Sequence, residues 1–415
     1  MTPEVSKHMT EETITIADRV RQVGMSPTMK GTMEAERLRR QGVDVVDLGA
    51  GEPDFPTPEH VKDAAHAALN ANFTKYTPSA GVVELREAVC HRYRLDYGVE
   101  IKPEEVIITA GAKQALYNTA MALYEPGDEV ITHGPYWPSI GDQIKLADAT
   151  PVIVQTHMED GFTIKAAPII DAITPRTKAI IVNSPCNPTG ALISETEMAA
   201  IADAASARGI WVVVDFTYEK LIYEPVAHNL IKVLFDRMRE KTIICSAASK
   251  AYAMTGWRCG WAIGPKEVIA QCNVIQGHST SNINSITQKA GIAALTGPQD
   301  GVTTMLNEYR KRRDAVHGTL TADPRIVCVK PGGAFYLFPY IADLLSPNGL
   351  RSSAEFSEAL LKDEAVAVTP GEGFDAPGFF RLSYATSIER LQEGGNRLRR
   401  FVQKLESAGK LTAAR

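Results

Sequence analysis

Short apolar runs alternate with amphipathic stretches along most of this chain, and no other feature constrains the fold as strongly. Several runs are hydrophobic almost throughout, as expected for strands that are buried on both faces. Such alternation predicts an α/β fold with a mostly parallel sheet and helices on both of its faces. The predicted strands are Val43–Leu48, Val106–Thr109, Glu129–Thr132, Thr150–Val154, Ala179–Asn183, Trp211–Asp215 and Thr242–Cys245, and the predicted helices include Glu59–Asn70, Ala112–Tyr124 and Glu195–Ala207.

The pattern changes after about Gly297, where a long charged helix over Val302–Leu320 is followed by short strands and a basic helix over Ile388–Leu405. This indicates a smaller α+β domain, and we expect the stretch before Gly49 to pack with it. We therefore predict an N-terminal arm with part of the small domain in residues 1–50, a large domain in 51–297 and a small C-terminal domain in 298–415. The predicted short strands are Ile326–Val329, Ala334–Leu337, Val366–Val368 and Phe379–Ser383.

Composition argues against several classes of protein. A net charge of −5 speaks against a nucleic-acid partner, which usually requires a strongly basic face. No apolar run is long enough to span a membrane, and the N-terminal stretch has acidic residues and lacks the apolar core of a secretory signal. The six cysteines include no Cys-x-x-Cys pair, so we expect no metal site and no disulfide scaffold, but reduced thiols in a cytoplasmic protein.

Lys250 stands among small, mostly uncharged residues in the segment SAASKAYAMTGWR, just after a predicted strand. Burial in such surroundings disfavours the ammonium form, and the neutral amine is a nucleophile that forms Schiff bases with aldehydes. Ser249 offers a hydroxyl group nearby, and Arg258 offers a guanidinium group that can form bidentate hydrogen bonds to phosphate. A lone lysine at this place would be explained better as a solvated surface residue, so its interpretation depends on the other motifs.

Asp215 ends the apolar run WVVVD and is followed three residues later by Tyr218. A carboxylate at the end of a buried strand is costly unless a cation accompanies it. Open α/β sheets bind ligands beyond these strand ends, where a protonated pyridine nitrogen would suit Asp215 and Tyr218 could bond a neighbouring ring oxygen. For the aspartate alone, a helix N-cap is an equally good interpretation.

Weaker signals follow three other predicted strands. A glycine-containing turn opens a helix, where small residues and the helix N-terminus let backbone amides approach a phosphate. An aromatic residue follows the next strand, and an asparagine that can donate to a phenolate-type oxygen lies in the segment NSPCNPTG. Taken singly, these are an ordinary helix start, a core aromatic and a turn. The residues are Gly111, Ala112 and Lys113 in the first turn, Trp137 and Asn187.

Together the motifs occur in the order glycine turn, aromatic, asparagine, aspartate–x–x–tyrosine, lysine and arginine, each at the end of a strand. In this order the chain resembles the class I aminotransferases of the fold-type I pyridoxal-phosphate superfamily. The nearest resemblance is to the bacterial aspartate aminotransferases, a branch that also includes prephenate aminotransferases. It extends from about Gly24 to Phe401 and implies pyridoxal 5′-phosphate as the cofactor.

The resemblance implies a role for each motif. Lys250 resembles the Schiff-base lysine that also moves the proton at the substrate α-carbon. Asp215 resembles the partner of the pyridinium nitrogen. Tyr218 and Asn187 resemble the groups that hydrogen-bond the ring oxygen, and Trp137 resembles the aromatic residue that stacks on the cofactor ring. Trp137 and Asn187 are also expected to contact the substrate. The expected phosphate-site residues are Gly111, Ala112, Lys113, Ser249 and Arg258.

Three further matches concern the substrate and the assembly. Arg381, in the segment FRLSYAT, resembles the arginine that binds the substrate α-carboxylate, and Gly51 resembles part of a loop that closes over the substrate. Tyr76 resembles a tyrosine that reaches the phosphate of the neighbouring subunit, which implies a homodimer with shared active sites.

The expected reaction is a ping-pong transfer of an amino group between aspartate or glutamate and the 2-oxo acids oxaloacetate or 2-oxoglutarate. Lys113 matches a lysine that binds the second carboxylate in the bacterial branch, and Thr28 matches a position linked there to prephenate use. Alternatively, Lys113 only holds the cofactor phosphate and the pocket takes a neutral or aromatic amino acid.

Two other classes of function share part of the motif set. A carbon–sulfur lyase or a cyclopropane-forming synthase of the same fold type would keep the lysine, aspartate and arginine. A non-enzymatic regulator would usually carry an added DNA-binding segment, which we do not find. Two positions depart from the family pattern: Phe216 replaces a usual acidic residue, and Ala247 replaces a serine of some relatives.

Overall fold

The computed structural model describes residues 16–24, 27–345 and 349–413, with side chains at 16–24, 33–345 and 349–405. The α-helices are α1 Asp18–Arg21, α2 Pro27–Arg40, α3 Glu59–Asn70, α4 Val83–Tyr97, α5 Ala112–Leu123, α6 Pro138–Leu146, α7 Ala166–Asp171, α8 Glu195–Ser206, α9 Leu230–Met238, α10 Ala248–Ala251, α11 Lys266–Gly277, α12 Ser285–Thr296, α13 Asp300–Thr321, α14 Ala342–Leu345, α15 Ser353–Glu364 and α16 Ile388–Ala413. The strands are β1 Val46–Asp47, β2 Val106–Thr109, β3 Glu129–Gly134, β4 Thr150–Gln155, β5 Thr177–Asn183, β6 Trp211–Asp215, β7 Thr242–Ala247, β8 Gly260–Ile263, β9 Tyr336–Leu337, β10 Val366–Ala367, β11 Thr369–Pro370 and β12 Phe380–Ser383.

The central sheet contains seven strands in the order β2-β8-β7-β6-β5-β3-β4. Strands β4, β3, β5, β6 and β7 run parallel to one another, whereas β8 lies antiparallel between β2 and β7. The predicted mostly parallel sheet is therefore confirmed. Strand β8 was not predicted, because its four residues begin with glycine and follow a turn-rich segment that gives no strand signal.

Both faces of this sheet are covered, which explains the continuous apolar runs in its strands. In β6, Val212 and Val214 pack into the hydrophobic core on one face, while Val213 packs into the core on the other. Side chains of a strand alternate between faces, so a strand buried on both sides must be apolar at every position. Helices such as α8 and α9 close one face, and α5 and α11 close the other.

A second core lies among the C-terminal elements and includes Val46 and Leu48 from the stretch before Gly49. Strand β1 pairs in parallel with β10 beside α16, while β11, β12 and β9 form a separate antiparallel sheet beside α13 and α15. The expected smaller α+β part is thus present. The exact division at residues 50 and 297 stays a prediction.

The predicted strand Ile326–Val329 is wrong. Only Val327 makes an isolated bridge, to Tyr340, and the Cys328 carbonyl oxygen lies 3.0 Å from Nε2 of His317 on α13. Beyond this single bridge, the described chain has no ladder at these residues, so the apolar composition of the stretch reflects packing and not pairing.

The register of the sheet gathers the ends of its central strands. Asn183 at the end of β5 lies beside Asp215 at the end of β6, and Asp215 lies beside Cys245 of β7. Loops that follow these strands therefore meet at one edge of the sheet. Within the described residues, no helix has the length and apolar character required to cross a membrane.

Candidate active site

A cavity of about 450 Å³ opens at this carboxyl edge of the sheet, between the sheet and the C-terminal core. Most of the predicted site residues line it, although they come from segments scattered over the chain. They are Gly51, Ala112, Lys113, Trp137, Asn187, Asp215, Tyr218, Ser249, Lys250, Arg258 and Arg381.

Two predicted residues are not placed in this cavity. Tyr76 is 92% exposed on the surface of the single chain. Thr28 lies in helix α2, but its side chain is outside the described residues. Gly111 directly precedes Ala112 and lies against Arg258, so it belongs to the wall of the cavity.

Lys250 lies on the short helix α10, and its Nζ donates a hydrogen bond to the carbonyl oxygen of Gly51. Burial lowers the pKa of Lys250 to about 8, and the positive charge of Arg381 acts in the same direction. The amine is therefore much more easily deprotonated than that of a surface lysine, which is what a nucleophile or a proton acceptor requires.

Asp215 is buried at the end of β6. Its Oδ1 accepts two hydrogen bonds from Thr217, one from the backbone nitrogen at 3.1 Å and one from the side-chain hydroxyl group at 2.6 Å. Burial raises the pKa of Asp215, although both bonds oppose the shift. No basic side chain of the described chain lies within 4.0 Å of this carboxylate. The alternative interpretation as a helix N-cap is wrong, because a turn follows β6 and the next helix, α9, begins at Leu230.

Arg381 enters the cavity from strand β12. Its Nη1 donates to Oδ1 of Asn187 at 3.0 Å, and its Nη2 donates to the carbonyl oxygen of Gly49 at 2.9 Å. Each terminal nitrogen carries two N–H groups, so each keeps one that these bonds do not use. Because Asn187 accepts through its oxygen, its amide nitrogen is left to donate into the cavity.

The corner around Gly111 is built from close backbone contacts. Gly111 has a φ of +82° and Arg258 a φ of +56°, and both values lie in the left-handed region that side chains rarely adopt. Arg258 donates to the carbonyl oxygens of Thr255 and Ala110, each at 2.9 Å. The guanidinium group is thereby held at the N-terminus of α5, where anions bind favourably.

Gly260 explains how this corner can be so tight. A Cβ atom at Gly260 would lie 2.5 Å from the carbonyl carbon of Gly111 and 2.6 Å from the backbone nitrogen of Ala112. Strand β8, which the sequence did not predict, is thus the element that supports the turn from behind. Lys113 extends from the same turn, with its Nζ 4.7 Å from the ring centre of Trp137, and burial lowers its pKa.

Several residues of the cavity wall were missed in the sequence. Asn183 accepts from the backbone nitrogen of Asn187 at 2.8 Å and donates to the carbonyl oxygen of Asp215 at 3.2 Å, so it links two predicted residues. Its position at a strand end was the available signal. The other missed wall residues are Ala50, Glu52, Thr217, Thr255 and Tyr336, together with Ala247, noted only as a departure from the family pattern.

The two departures from the family pattern sit in different surroundings. Phe216 is fully buried and packs against Tyr97 and His228, with ring centres 5.7 and 6.0 Å away. An acidic residue there would have to be buried among these rings, at a cost in desolvation. Ala247 lines the cavity itself and contributes no hydrogen-bonding side chain.

Comparisons with known proteins agree with this arrangement. The family model for aminotransferase class I and II matches residues 43–398. The aspartate aminotransferase of Geobacillus stearothermophilus is 44% identical over 94% of this chain and 99% of its own length. The aspartate/prephenate aminotransferase of Cereibacter sphaeroides is 40% identical over 93% of this chain and 98% of its own length.

Solved structures give the same result. The structure of aspartate aminotransferase from Thermus thermophilus with maleate is 42% identical in sequence and superimposes with a TM-score of 0.89, covering 94% of this chain and all of the other. The fold, the gathered strand ends and these similarities together show that the chain belongs to the class I and II aminotransferases.

Proposed function

We propose that this aminotransferase depends on pyridoxal 5′-phosphate and transfers the amino group of aspartate or glutamate to a 2-oxo acid. The observation that carries the proposal is the convergence of Lys250, Asp215 and Arg381 on one cavity, although they lie on different elements. An easily deprotonated amine, a buried carboxylate and an arginine with unused N–H groups are the three groups such a transfer requires.

The residues of the cavity suit this cofactor. Asp215 is a buried carboxylate that has no cation within 4.0 Å in the described chain, which matches the positive ring nitrogen of the group. At the opposite corner, Arg258, Ser249 and the first amides of α5 form a site for its phosphate. Trp137 would face the ring, and Asn187 would donate its amide to the ring oxygen.

When bound, pyridoxal phosphate supplies an aldehyde that reacts with amines and a ring that withdraws electrons. The chain's own residues do the rest. Lys250 Nζ, with its pKa lowered to about 8, accepts the proton from the substrate α-carbon and returns it. Asp215 holds a proton on the ring nitrogen through its charge, and Arg381 fixes the α-carboxylate so that the α-hydrogen faces the lysine.

Lys113 is the proposed partner of a second carboxylate. Its Nζ lies over Trp137 and is partly buried, and no carboxylate of the described chain lies within 4.0 Å of it. A desolvated cation at the cavity wall favours an acidic substrate. The relatives named as aspartate aminotransferases, and the Thermus thermophilus structure with the dicarboxylate maleate, support this choice.

Prephenate is the second candidate substrate. The relative from Cereibacter sphaeroides is named an aspartate/prephenate aminotransferase, and Thr28 is the residue of this chain that we assign to that activity. We further propose a homodimer in which Tyr76 reaches the phosphate of the neighbouring subunit, since an aromatic residue 92% exposed in the single chain suits a contact with a second copy. The cytoplasmic location stays a prediction.

The deciding experiment measures kcat/KM of the cofactor-loaded enzyme for aspartate, alanine and phenylalanine, in the parent and in Lys113→Ala. We expect the parent to prefer aspartate. We expect the variant to lose about ten-fold or more for aspartate alone, because a desolvated charge pair contributes roughly 1.5–3 kcal/mol. Lys145→Ala, on α6 but outside the cavity, is the matched control.

Three outcomes would contradict the proposal. A parent that prefers alanine or phenylalanine, or a Lys113→Ala variant that loses all three substrates equally, would favour the aminotransferase for neutral or aromatic amino acids. If the loaded enzyme releases no 2-oxo acid in stoichiometric amount from a single exposure to amino acid, a lyase of the same fold type is the better assignment.

A further inference from the structure

We propose that Tyr336 is a positioning residue that connects two parts of the reaction site, holding Tyr218 through its hydroxyl group and Arg381 through its ring. This inference rests on the proposed function and adds a residue to it. Tyr336 lies on strand β9, far in sequence from the motifs that follow the central strands.

The first contact is a hydrogen bond between two buried phenols. The hydroxyl oxygens of Tyr336 and Tyr218 are 2.8 Å apart, and the rings meet edge to face with centres 5.8 Å apart. Within the described residues, neither hydroxyl group makes a hydrogen bond to any group other than its partner. A phenol can donate one bond while it accepts another, so this pair can extend to a third group in the cavity.

The second contact is between the ring of Tyr336 and the cation of Arg381. The guanidinium carbon lies 4.3 Å from the ring centre, within the range of a cation–π interaction. Strand β9 pairs with β12, which carries Arg381, and this pairing places the ring beside the arginine. Tyr336 thus supports the flat face of the group that is proposed to bind the α-carboxylate, while Asn187 and Gly49 hold its edge.

The loop over the site leaves no spare room around this hydroxyl group. A Cβ atom at Gly51 would lie 3.1 Å from the hydroxyl oxygen of Tyr336. Gly51 also accepts the hydrogen bond from Lys250, so the loop, the lysine and the phenol pair are packed against one another.

The direction of the hydrogen bond follows from the charge nearby. Burial raises the pKa of both phenols, that of Tyr218 well above its ordinary value, whereas the cation of Arg381 opposes the rise most directly at Tyr336. Because the Arg381 cation lies 4.3 Å from the ring centre of Tyr336 and draws electron density from that ring, we assign the donated hydrogen to Tyr336 and the accepting oxygen to Tyr218. The hydrogen of Tyr218 is then free to point into the cavity toward the ring oxygen of the proposed cofactor.

This arrangement couples the carboxylate site to the cofactor site. A carboxylate that approaches Arg381 partly neutralises the electrostatic effect of the cation on the ring of Tyr336. This alters the strength of the hydrogen bond from Tyr336 to Tyr218. Hydrogen bonds in series strengthen one another in a protein interior. Loss of the Tyr336 hydroxyl group should therefore make Tyr218 a poorer donor, even though Tyr336 itself need not touch the cofactor.

The test uses the enzyme loaded with pyridoxal phosphate and follows the absorption of the bound cofactor against pH. In Tyr336→Phe, we expect the midpoint to rise by about 0.3–0.6 pH units, because the bond from Tyr218 to an anionic oxygen weakens by roughly 10–30%. The KM for aspartate should stay within about two-fold, since the ring over Arg381 remains. Tyr384→Phe, which removes another buried hydroxyl group at the end of β12, is the control and should leave the midpoint unchanged.

Two more variants separate the two contacts. Tyr336→Leu removes the ring, and we expect the KM for aspartate to rise about five- to thirty-fold from loss of the cation–π interaction. The double variant Tyr218→Phe with Tyr336→Phe should have the same midpoint as Tyr218→Phe alone, because Tyr336 acts through Tyr218.

The outcomes distinguish this inference from the proposed function. If the parent neither acquires the cofactor absorption nor responds to amino acids, the proposed function fails. If the parent responds but Tyr336→Phe keeps the parental midpoint, or if the two tyrosine substitutions shift the midpoint additively, the positioning role alone is overturned.

Discussion

Both carboxylate oxygens of Asp54 lie 2.8 Å from Nη1 of Arg312, although the two residues are 258 positions apart in the chain. The Arg312 side chain is only 8% exposed, and its guanidinium group also lies 5.1 Å from the ring centre of Phe55. This ion pair ties the loop that carries Gly51 to helix α13. The cavity wall that contacts Lys250 is thus anchored on the C-terminal core.

Asp54→Asn should therefore lower the free energy of unfolding by about 1–3 kcal/mol, because it leaves a nearly buried guanidinium group with only Glu308 as a charged partner in the described chain. Urea denaturation of the cofactor-free protein measures this change. Asp236→Asn removes the carboxylate of an exposed helical pair with Lys232 and should have no measurable effect. Equal stability of the Asp54 and Asp236 variants would show that the loop does not depend on Arg312.

The second prediction concerns the acidity of Lys250 before any cofactor binds. Its rate of acetylation in the cofactor-free protein should rise with pH around a midpoint of about 8. Peptide mass spectrometry at a series of pH values measures the rate at each lysine, with the exposed Lys266 as reference for the reagent. A midpoint near 10.5, the ordinary lysine value, would contradict the burial argument.

The same pKa shift predicts a stability effect with a definite sign. The folded chain loses the Lys250 proton near pH 8, whereas the unfolded chain keeps it until about 10.5. The charged amine therefore lowers the free energy of unfolding below pH 8, and this destabilisation decreases as the pH rises from 8 to 10.5. Lys250→Met should stabilise the cofactor-free protein at pH 7, and the gain should shrink over that range. A gain that is constant with pH would point to better packing instead.

Glycine at position 260 should be essential for the corner around Gly111, which we propose as the phosphate site. Gly260→Ala places a methyl group against the backbone of Gly111 and Ala112, and we expect about 1–3 kcal/mol of destabilisation together with faster loss of pyridoxal phosphate. Gly256→Ala, whose methyl group would meet no atom within 4 Å, is the matched control. Dialysis followed by absorbance measures cofactor retention. Identical retention in both variants would show that cofactor binding does not depend on Gly260.

The proposed partnership of Asp215 with the ring nitrogen predicts a loss of rate. Asp215→Ala should bind pyridoxal phosphate weakly and lose roughly 10²–10³-fold in kcat, the usual effect of removing one preorganised charge. Single-turnover kinetics at saturating cofactor separates the loss of rate from the loss of binding. A variant within a few-fold of the parent would refute the assignment.

Tyr76 is the residue through which shared active sites can be tested. Tyr76→Phe and Lys250→Ala should each impair activity, and mixed dimers of the two should regain part of it, since one of their two sites then has both residues intact. Subunit exchange is verified with differently tagged chains. Complete exchange without any recovery of activity would argue that each site is built from one chain.

The elements that were predicted residue by residue are those whose signal is local. Strands Val106–Thr109 and Trp211–Asp215 and helix Glu59–Asn70 have the predicted bounds, because each is an uninterrupted pattern between turn-forming residues. Strand β8 has no such pattern, since its place between β2 and β7 is set by its neighbours. Ile326–Val329 has the composition of a strand but lacks a neighbouring strand with which to pair.

The site residues also divide into those with a local sequence signal and those whose place depends on distant contacts. Lys250 and Asp215 could be found because each follows its own strand, and parallel strands bring their ends together. Tyr336 gains its importance from a contact with Tyr218 across 118 residues, and no local feature of a two-residue strand indicates it. The same is true of Asp54 and Arg312, which form an ion pair only after both cores have come together.

The bond from Arg381 to the carbonyl oxygen of Gly49 spans 332 residues, so the cavity is closed by two segments that are synthesised far apart in time. During translation the segment with Lys250 leaves the ribosome well before strand β12 does. At that stage Lys250 still lacks Arg381, and the loop that carries Gly51 lacks the bond from Arg381 to Gly49. Assembly of the cavity therefore waits for strand β12, and a chain interrupted before Phe380 would lack Arg381 and its bonds to Asn187 and Gly49.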